Sequence, residues 1–210
     1  MTPAYGADAA AYGAFKSMLF APGTPQAIES LIEVLEARGG EVELVASARA
    51  ALAAPEQLEF EFNRMCIGPY RLSVPPYESV WRSGAREIWN RFTTEVALHY
   101  ERIGLVIDDS LREPADFIGN ELEFLYCVRA LQVQHAEDPE ALSELCAIHD
   151  DFLRAHLSQW YGDFCAALVA DARLPFWRLY GEALARFLDE QTQALPEPAP
   201  APAAAGEVNH

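Results

Sequence analysis

The sequence is short of basic residues, paired cysteines and long apolar runs, and each shortage excludes a class of protein. Its 15 basic and 32 acidic residues give a net charge of −17, which repels nucleic-acid backbones and anionic lipid. The four cysteines stand singly, without a CxxC pair or a short metal-binding spacing, so we expect reduced, buried thiols. No apolar run approaches the ~20 residues of a membrane span, and residues 1–14 lack a signal-peptide pattern. We therefore expect a cytoplasmic protein that binds no nucleic acid and does not insert stably into a membrane.

Motifs for several enzyme classes are also missing. The sequence has no Gly-x-Ser-x-Gly nucleophile elbow and no glycine-rich phosphate loop. Asp108–Arg112 and Asp150–Arg154 carry arginine where an aspartate-rich magnesium motif needs a further carboxylate. The Glu-x-x-His pairs of di-iron bundles are absent as well. We therefore expect no catalytic residues, no metal and no cofactor.

One set of possible metal ligands has a structural alternative. His149, His156 and Asp163 recur every seven residues, which would align them on one face of a continuous helix. The alternative is a helix break near residue 155, with one histidine hydrogen-bonded between helices and Trp160 beside it. We favour the second interpretation.

Apolar residues recur at spacings of three and four along most of the chain, which predicts an all-α protein. The fold class that we expect is a single-domain helical bundle of about nine helices over residues 1–193, followed by a flexible Pro/Ala-rich tail over 194–210. The predicted helices are 8–20, 25–38, 40–53, 55–67, 83–103, 114–135, 139–154, 156–172 and 175–191.

Between residues 68 and 82 the helical pattern gives way to an extended loop that three prolines stiffen. Aromatic and apolar residues occur in it at intervals, which is typical of a recognition loop, although the loop could instead be pinned over the core by its aromatic rings. The candidate binding residues here are Gly68, Pro69, Tyr70, Leu72, Tyr77 and Trp81.

The stretch Glu113–Leu125 is the second candidate site. Pro114 favours the first turn of a helix, because its φ is already near the helical value and it has no amide hydrogen to leave unpaired. Glu113 and Asp116 would then lie exposed at the positive end of that helix, with Phe117 and Glu121 along a neighbouring ridge. A capping or first-turn role for Asp116 is the structural alternative, and it is compatible with binding.

Taken in order, four segments resemble the TorD/DmsD/NarJ-like family of cytoplasmic chaperones for molybdoenzyme maturation. Glu61–Pro69 is similar to the family segment that ends in Gly-Pro, and Pro75–Trp81 resembles its aromatic continuation. Glu113–Asp116 matches the Glu-Pro-x-Asp-His signature, except that Phe117 stands where the family usually has histidine. Phe152–Trp160 is similar to the family's Phe-Leu-x-x-His-Leu-x-x-Trp segment. The resemblance covers roughly residues 12–191.

The resemblance implies an all-helical, non-enzymatic chaperone that holds the twin-arginine leader, or the apo form, of a molybdoenzyme until its cofactor is inserted. Carboxylates for the arginines and an apolar groove for the rest of the leader are what such a ligand needs. On this basis Asp116, with Glu113 or Glu121, would bind arginine, and Tyr70, Leu72, Tyr77, Trp81 and Phe117 would line the groove.

Three questions stay open at this point. One alternative is a NarJ-like assembly chaperone that binds only the mature catalytic subunit, which the Phe117 departure favours. Another is a nucleotide-binding enzyme, since nucleotide binding has been suggested for the family. The chain could be a monomer or a homodimer, and the helix 114–135 and the C-terminal helices show no self-pairing heptad that would decide between them.

Overall fold

The computed structural model describes residues 5–68, 72–84, 88–106 and 113–197. Within these ranges it contains ten α-helices and no strand longer than an isolated bridge, so the expected all-α class is confirmed. The helices are α1 Tyr5–Phe20, α2 Pro25–Arg38, α3 Val42–Ala51, α4 Glu56–Phe62, α5 Glu78–Arg82, α6 Arg91–Glu101, α7 Ile118–Gln134, α8 Pro139–Ala155, α9 Tyr161–Asp171 and α10 Pro175–Gln193. A π-helical turn, Asn63–Ile67, extends α4, and a short 3₁₀ turn, Leu157–Gln159, precedes α9.

Local capping explains where several helices begin. Thr24 accepts a hydrogen bond from Ala27 N–H, and Pro25 follows it in the first turn of α2. Asp138 caps α8 in the same way, with Pro139 as the first helical residue. Both starts agree with the sequence prediction, as does the start of α10 at Pro175.

The bundle is built around α1 and α7, which lie against each other along much of their length. Helix α2 covers α1, α8 covers α7, and α10 packs against α9 and α3. Buried aromatic rings fill the space between these helices, because their large apolar area contributes most when removed from water. In the part of the chain that the structure describes, no helix is both long enough and apolar enough to cross a bilayer.

The predicted helix 83–103 is wrong at its start. Its regular part begins only at Arg91, and Trp89 just before it has a positive φ of 70°. Trp89 is 67% exposed, whereas Phe92, three residues on, is buried. A left-handed residue cannot continue a helix, which explains why the Trp89 ring leaves the buried face that Phe92 keeps.

The structure describes only the first residues of the predicted tail, 194–197. Helix α10 ends at Gln193, and Leu195 packs against the core from the segment that follows it. Residues 198–210 lie outside the described residues. The division into a domain over 1–193 and a flexible tail over 194–210 stays a prediction.

Candidate functional site

The segment 72–82, which we call the strap, pairs with the segment before α7. Tyr77 and Phe117 form an antiparallel bridge, in which Ile118 N–H donates to Pro76 O at 2.9 Å and Glu78 N–H donates to Asp116 O at 3.0 Å. This pairing holds residues around Phe117 in an extended conformation. The two stretches that the sequence marked as candidate sites are therefore neighbours in space.

The pairing also corrects the start of α7. The helix begins at Ile118, with Phe117 as its N-cap residue, whereas the sequence predicted a start at Pro114. Pro114 instead opens a tight turn, in which its carbonyl accepts from Phe117 N–H at 3.1 Å and from Asn120 Nδ2 at 2.8 Å. Proline suits a turn as well as a first helical turn, and the pairing with the strap decides between them.

Asp116 is not exposed at this helix start, which contradicts the expected acidic entrance. Its side chain is completely buried, and Oδ2 accepts a hydrogen bond from Ser79 N–H at 2.8 Å. Its carbonyl accepts from Glu78 N–H, so Asp116 satisfies the first two amides of α5 from another segment. Among the described atoms, Oδ1 of Asp116 has no hydrogen-bond partner. Asp116 thus anchors the strap, and whether it also contacts a ligand stays a prediction.

Glu121 was expected on an accessible ridge and is buried as well. Its Oε2 accepts from Trp160 Nε1 at 3.3 Å, and burial together with the nearby charges of Glu78 and Asp116 raises its pKa well above the ordinary value. Burial penalises the charged form of a carboxyl group, and two neighbouring carboxylates add to that penalty. Both effects favour the neutral form of the Glu121 carboxyl group.

The third acid of this interior cluster is Glu78, which is also fully buried. Glu78 Oε2 lies 3.0 Å from His156 Nδ1, and its other oxygen bonds Arg82. His156 follows the last residue of α8, so the predicted helix break and the structural role of one histidine are both correct. The second histidine, His149, pairs with the adjacent Asp150. No three metal-ligating side chains are grouped to hold an ion in the ranges given above.

An apolar groove opens beside α7 on the side of Phe20. It has a volume of about 450 Å³ and lies between the end of α1, the residues that follow α6 and the first half of α7. Phe20 is 40% exposed and Val106 89% exposed, so apolar surface faces water here. We call it the α6–α7 groove; its lining is Phe20, Tyr100, Leu105, Val106, Asn120, Glu123 and Phe124.

Two carboxylates are partly exposed, one in the groove and one at the strap. Glu123 is part of the lining, and 36% of its side chain is exposed, although Lys16 forms an ion pair with it. Glu113 is partly exposed near the paired segments, where its Oε2 accepts from the Tyr77 hydroxyl at 3.0 Å. Glu113 and Glu123, rather than Asp116 and Glu121, are therefore the acids that water reaches.

Phe117, at the position of the family's usual histidine, connects the strap to the groove. Phe117 is 2% exposed, and its ring packs edge-on against Phe20 at 5.5 Å and at a tilt against Tyr77 at 6.1 Å between centroids. A Cβ on Gly119 would lie 2.4 Å from Phe117 Cε1, so this ring fits only because residue 119 is glycine. Phe117 is thus a packing residue beneath the groove.

The remaining predicted residues belong to the strap or to the turn before it. Trp81 and Tyr77 are partly exposed, and Trp81 Nε1 donates to Pro75 O at 2.7 Å, which folds the strap onto itself. Leu72 is partly buried at the start of the strap, and Gly68 ends the π-helical turn. Pro69 and Tyr70 lie outside the described residues.

The sequence analysis missed Glu123 and the groove. Asn120, Glu123 and Phe124 are spaced three and four apart, which places them on one face of α7. That spacing was available in the sequence. The contribution of Phe20 and Val106 was not, because these residues reach the groove from elements distant in the chain.

Comparison with known proteins gives consistent matches. The sequence model of the nitrate reductase delta subunit family matches residues 19–166. The chaperone protein YcdY of Escherichia coli K12 is 33% identical over 123 residues, which cover 58% of this chain and 56% of YcdY. The Tat proofreading chaperone DmsD of Salmonella typhimurium LT2 is 29% identical over 139 residues, which cover 66% and 62%. The chain thus spans less than two thirds of the length of these relatives.

A solved structure supports the fold independently. The Archaeoglobus fulgidus protein described as a redox enzyme maturation protein superposes with a TM-score of 0.59, at 20% identity, over 86% of this chain and 93% of that one. The family resemblance drawn from the sequence motifs is confirmed by these matches. Because the family model covers most of the sequence, the chain belongs to the nitrate reductase delta subunit family.

Proposed function

We propose that this protein is a non-catalytic, cytoplasmic chaperone for the maturation of a molybdoenzyme, and that it binds the twin-arginine leader of that enzyme before export. Family membership supports the general role, since the relatives include a proofreading chaperone. The observation that carries the leader-binding part is the α6–α7 groove, whose apolar surface includes a partly exposed carboxylate.

The chemistry of the groove matches that of a leader. A leader joins two guanidinium groups to an apolar segment, so its receptor needs carboxylates beside an apolar surface. Phe20, Leu105 and Val106 offer the apolar surface and Glu123 offers a carboxylate in the same lining, while Glu113, at Tyr77 of the strap, is proposed as the second carboxylate. The net charge of −17 adds a long-range attraction for a cationic segment.

The interior acids take a different part in this proposal. Asp116 fixes the strap to the segment before α7, Glu78 joins the strap to His156, and Glu121 joins α7 to Trp160, so these acids support the site from the interior. Tyr77, Trp81 and Leu72 are proposed as contacts on the strap side, with Gly68 and Pro69 as further candidate positions, while the buried Pro114 and Phe117 support the site by packing.

A titration of the full chain with synthetic leaders tests the proposal. We expect a leader with an arginine pair to bind at least tenfold more tightly than the same leader with an alanine pair, because each arginine forms a charge-assisted pair with a carboxylate. Glu113→Gln should weaken only the arginine leader, by about fivefold. Glu137→Gln is the matched control, since Glu137 is exposed beyond the opposite end of α7. Equal affinity for the two leaders contradicts leader recognition.

A second candidate function is assembly of the mature catalytic subunit without its leader. The burial of Asp116 and of Phe117 favours it, because two signature positions are unavailable to a ligand in this conformation. Exposed apolar side chains away from the groove, such as Phe60 and Ile67, would suit a broad contact with a folded client. Co-purification of the chain with a leaderless client, at the yield obtained with the full-length client, would favour this candidate over leader binding.

A further inference from the structure

Glu123 and Lys16 form the one ion pair that involves a groove-lining residue within the described chain. Lys16 lies on α1, one helical turn before Phe20, and its ammonium group approaches the ring of Tyr126 to 4.9 Å from the centroid. Glu123 Oε1 also lies 3.6 Å from the Cys127 thiol. The carboxylate that lines the groove is therefore already paired with a positive charge of the same chain.

The ammonium group of Lys16 is poorly matched to this position. Only 20% of its side chain is exposed, and loss of hydration on burial lowers the pKa of Lys16. An ammonium group is a compact, strongly hydrated charge, whereas a guanidinium group is less hydrated, always charged and able to bond a carboxylate through two parallel N–H groups. An arginine entering from the groove is thus the better partner for Glu123.

We propose that Lys16 is an internal stand-in for a client arginine, which occupies Glu123 until the leader arrives and is then displaced by it. This inference rests on the proposed function and deepens it, because it names Glu123 as an arginine receptor and Lys16 as its competitor. Displacement requires little rearrangement, since the Lys16 ammonium group can turn from Glu123 to water while the backbone of α1 stays in place.

Lys16 is the only lysine in the sequence, while 14 arginines supply the other basic side chains. An arginine at position 16 would bind Glu123 through a bidentate pair of hydrogen bonds and would compete more strongly with an incoming guanidinium group. Lysine at this position keeps the carboxylate paired, and so avoids an exposed unpaired charge in an apolar groove, while leaving it exchangeable.

A double-mutant cycle on leader binding tests this inference with the full chain. Lys16→Met should tighten the arginine-pair leader by about threefold, the usual strength of a partly exposed ion pair, and leave the alanine-pair leader unchanged. Lys16→Arg should weaken the arginine-pair leader by a similar factor. Glu123→Gln should weaken it too, and Lys16→Met should have no further effect in the Glu123→Gln background.

Arg49→Gln serves as the matched control, because it removes one positive charge from an exposed pair with Glu36 on the α2–α3 surface. It should change the affinity by less than about 1.5-fold. The circular dichroism spectrum of each variant checks that the fold is retained.

The outcomes separate the two proposals. If the unaltered chain prefers the arginine pair but Lys16→Met and Arg49→Gln act alike, only the internal competitor is refuted. A tightening by Lys16→Met that persists without Glu123 also refutes it, because the gain would come from net charge. If the unaltered chain does not distinguish the two leaders, the proposed function fails and this inference fails with it.

Discussion

Asp116→Ala should destabilise the protein strongly, because this carboxylate holds the strap rather than facing water. Asp116 Oδ2 accepts the Ser79 N–H at 2.8 Å, and both residues are fully buried. Truncation to alanine leaves that amide hydrogen without an acceptor in a place that water does not reach. A buried, unpaired N–H costs about 1–3 kcal/mol, and the small void left by the carboxylate adds to it.

We therefore expect Asp116→Ala to lower the free energy of unfolding by about 2–4 kcal/mol. Asp116→Asn keeps an oxygen in place for the Ser79 amide and removes one negative charge from beside Glu121. Its free energy of unfolding should stay within about 1 kcal/mol of the unaltered value. Asp163→Ala, an exposed aspartate in the first turn of α9, provides the surface control and should cost about 0.5 kcal/mol.

Urea unfolding followed by circular dichroism gives the free energies, with the denaturant slope compared between variants. Hydrogen exchange of the Ser79 amide gives a local readout, since Asp116→Ala removes its acceptor. The Glu78 amide bonds the main-chain carbonyl of residue 116, which every variant retains, and should remain the better protected of the two. The reasoning is refuted if Asp116→Ala is as stable as the surface control, or if Asp116→Asn is as damaging as alanine.

Two further predictions concern α7. Because the pKa of Glu121 is raised, the folded protein keeps a proton on this carboxyl group at pH values where the unfolded chain has lost it. The free energy of unfolding therefore falls as pH rises above the ordinary glutamate pKa of 4.5, by at most about 1.4 kcal/mol per pH unit. Glu121→Gln removes that decline, so the stability of this variant relative to the unaltered protein should increase between pH 5 and pH 8 in urea titrations. Parallel pH profiles of the two proteins would contradict a raised pKa of Glu121 in the folded state. Gly119→Ala should cost about 1–3 kcal/mol, because its Cβ meets the Phe117 ring, and pairing it with Phe117→Leu should recover part of that loss. Equal thermal midpoints for Gly119→Ala and the unaltered chain would count against the close contact.

Much of the helical frame could be predicted from the sequence, since it depends on local signals. Proline after a capping residue places the starts of α2 and α8 correctly, because cap and first turn are adjacent in the chain. The break near residue 155, expected as the alternative to a continuous helix through His149, His156 and Asp163, is found at His156. These features need no knowledge of distant contacts.

The errors arise where distant segments compete with local preference. Pro114 is compatible with a first helical turn, but the strap pairs with Phe117 and delays α7 to Ile118. The same pairing buries Asp116. The type and approximate position of the acids could thus be predicted, whereas which of them water reaches depends on packing between elements far apart in the sequence.

Glu121 and Glu123 illustrate this limit. They are two residues apart, so they point to different sides of α7, one toward Trp160 in the interior and the other toward Lys16 and the groove. Helical periodicity separates the two sides but does not say which is inside. The segments that pack against each side decide it, with Trp160 against Glu121 and α1 against Glu123.

The single lysine has a practical consequence for labelling chemistry. Lys16 carries the one side-chain amine in this sequence, so an acylating reagent has a single side-chain target, apart from the α-amino group of the chain. Because burial lowers the pKa of this amine, its unprotonated, reactive form is available at a lower pH than that of an ordinary surface lysine. The protein thus carries a built-in attachment point for a fluorophore beside the α6–α7 groove, where its emission can report on occupancy.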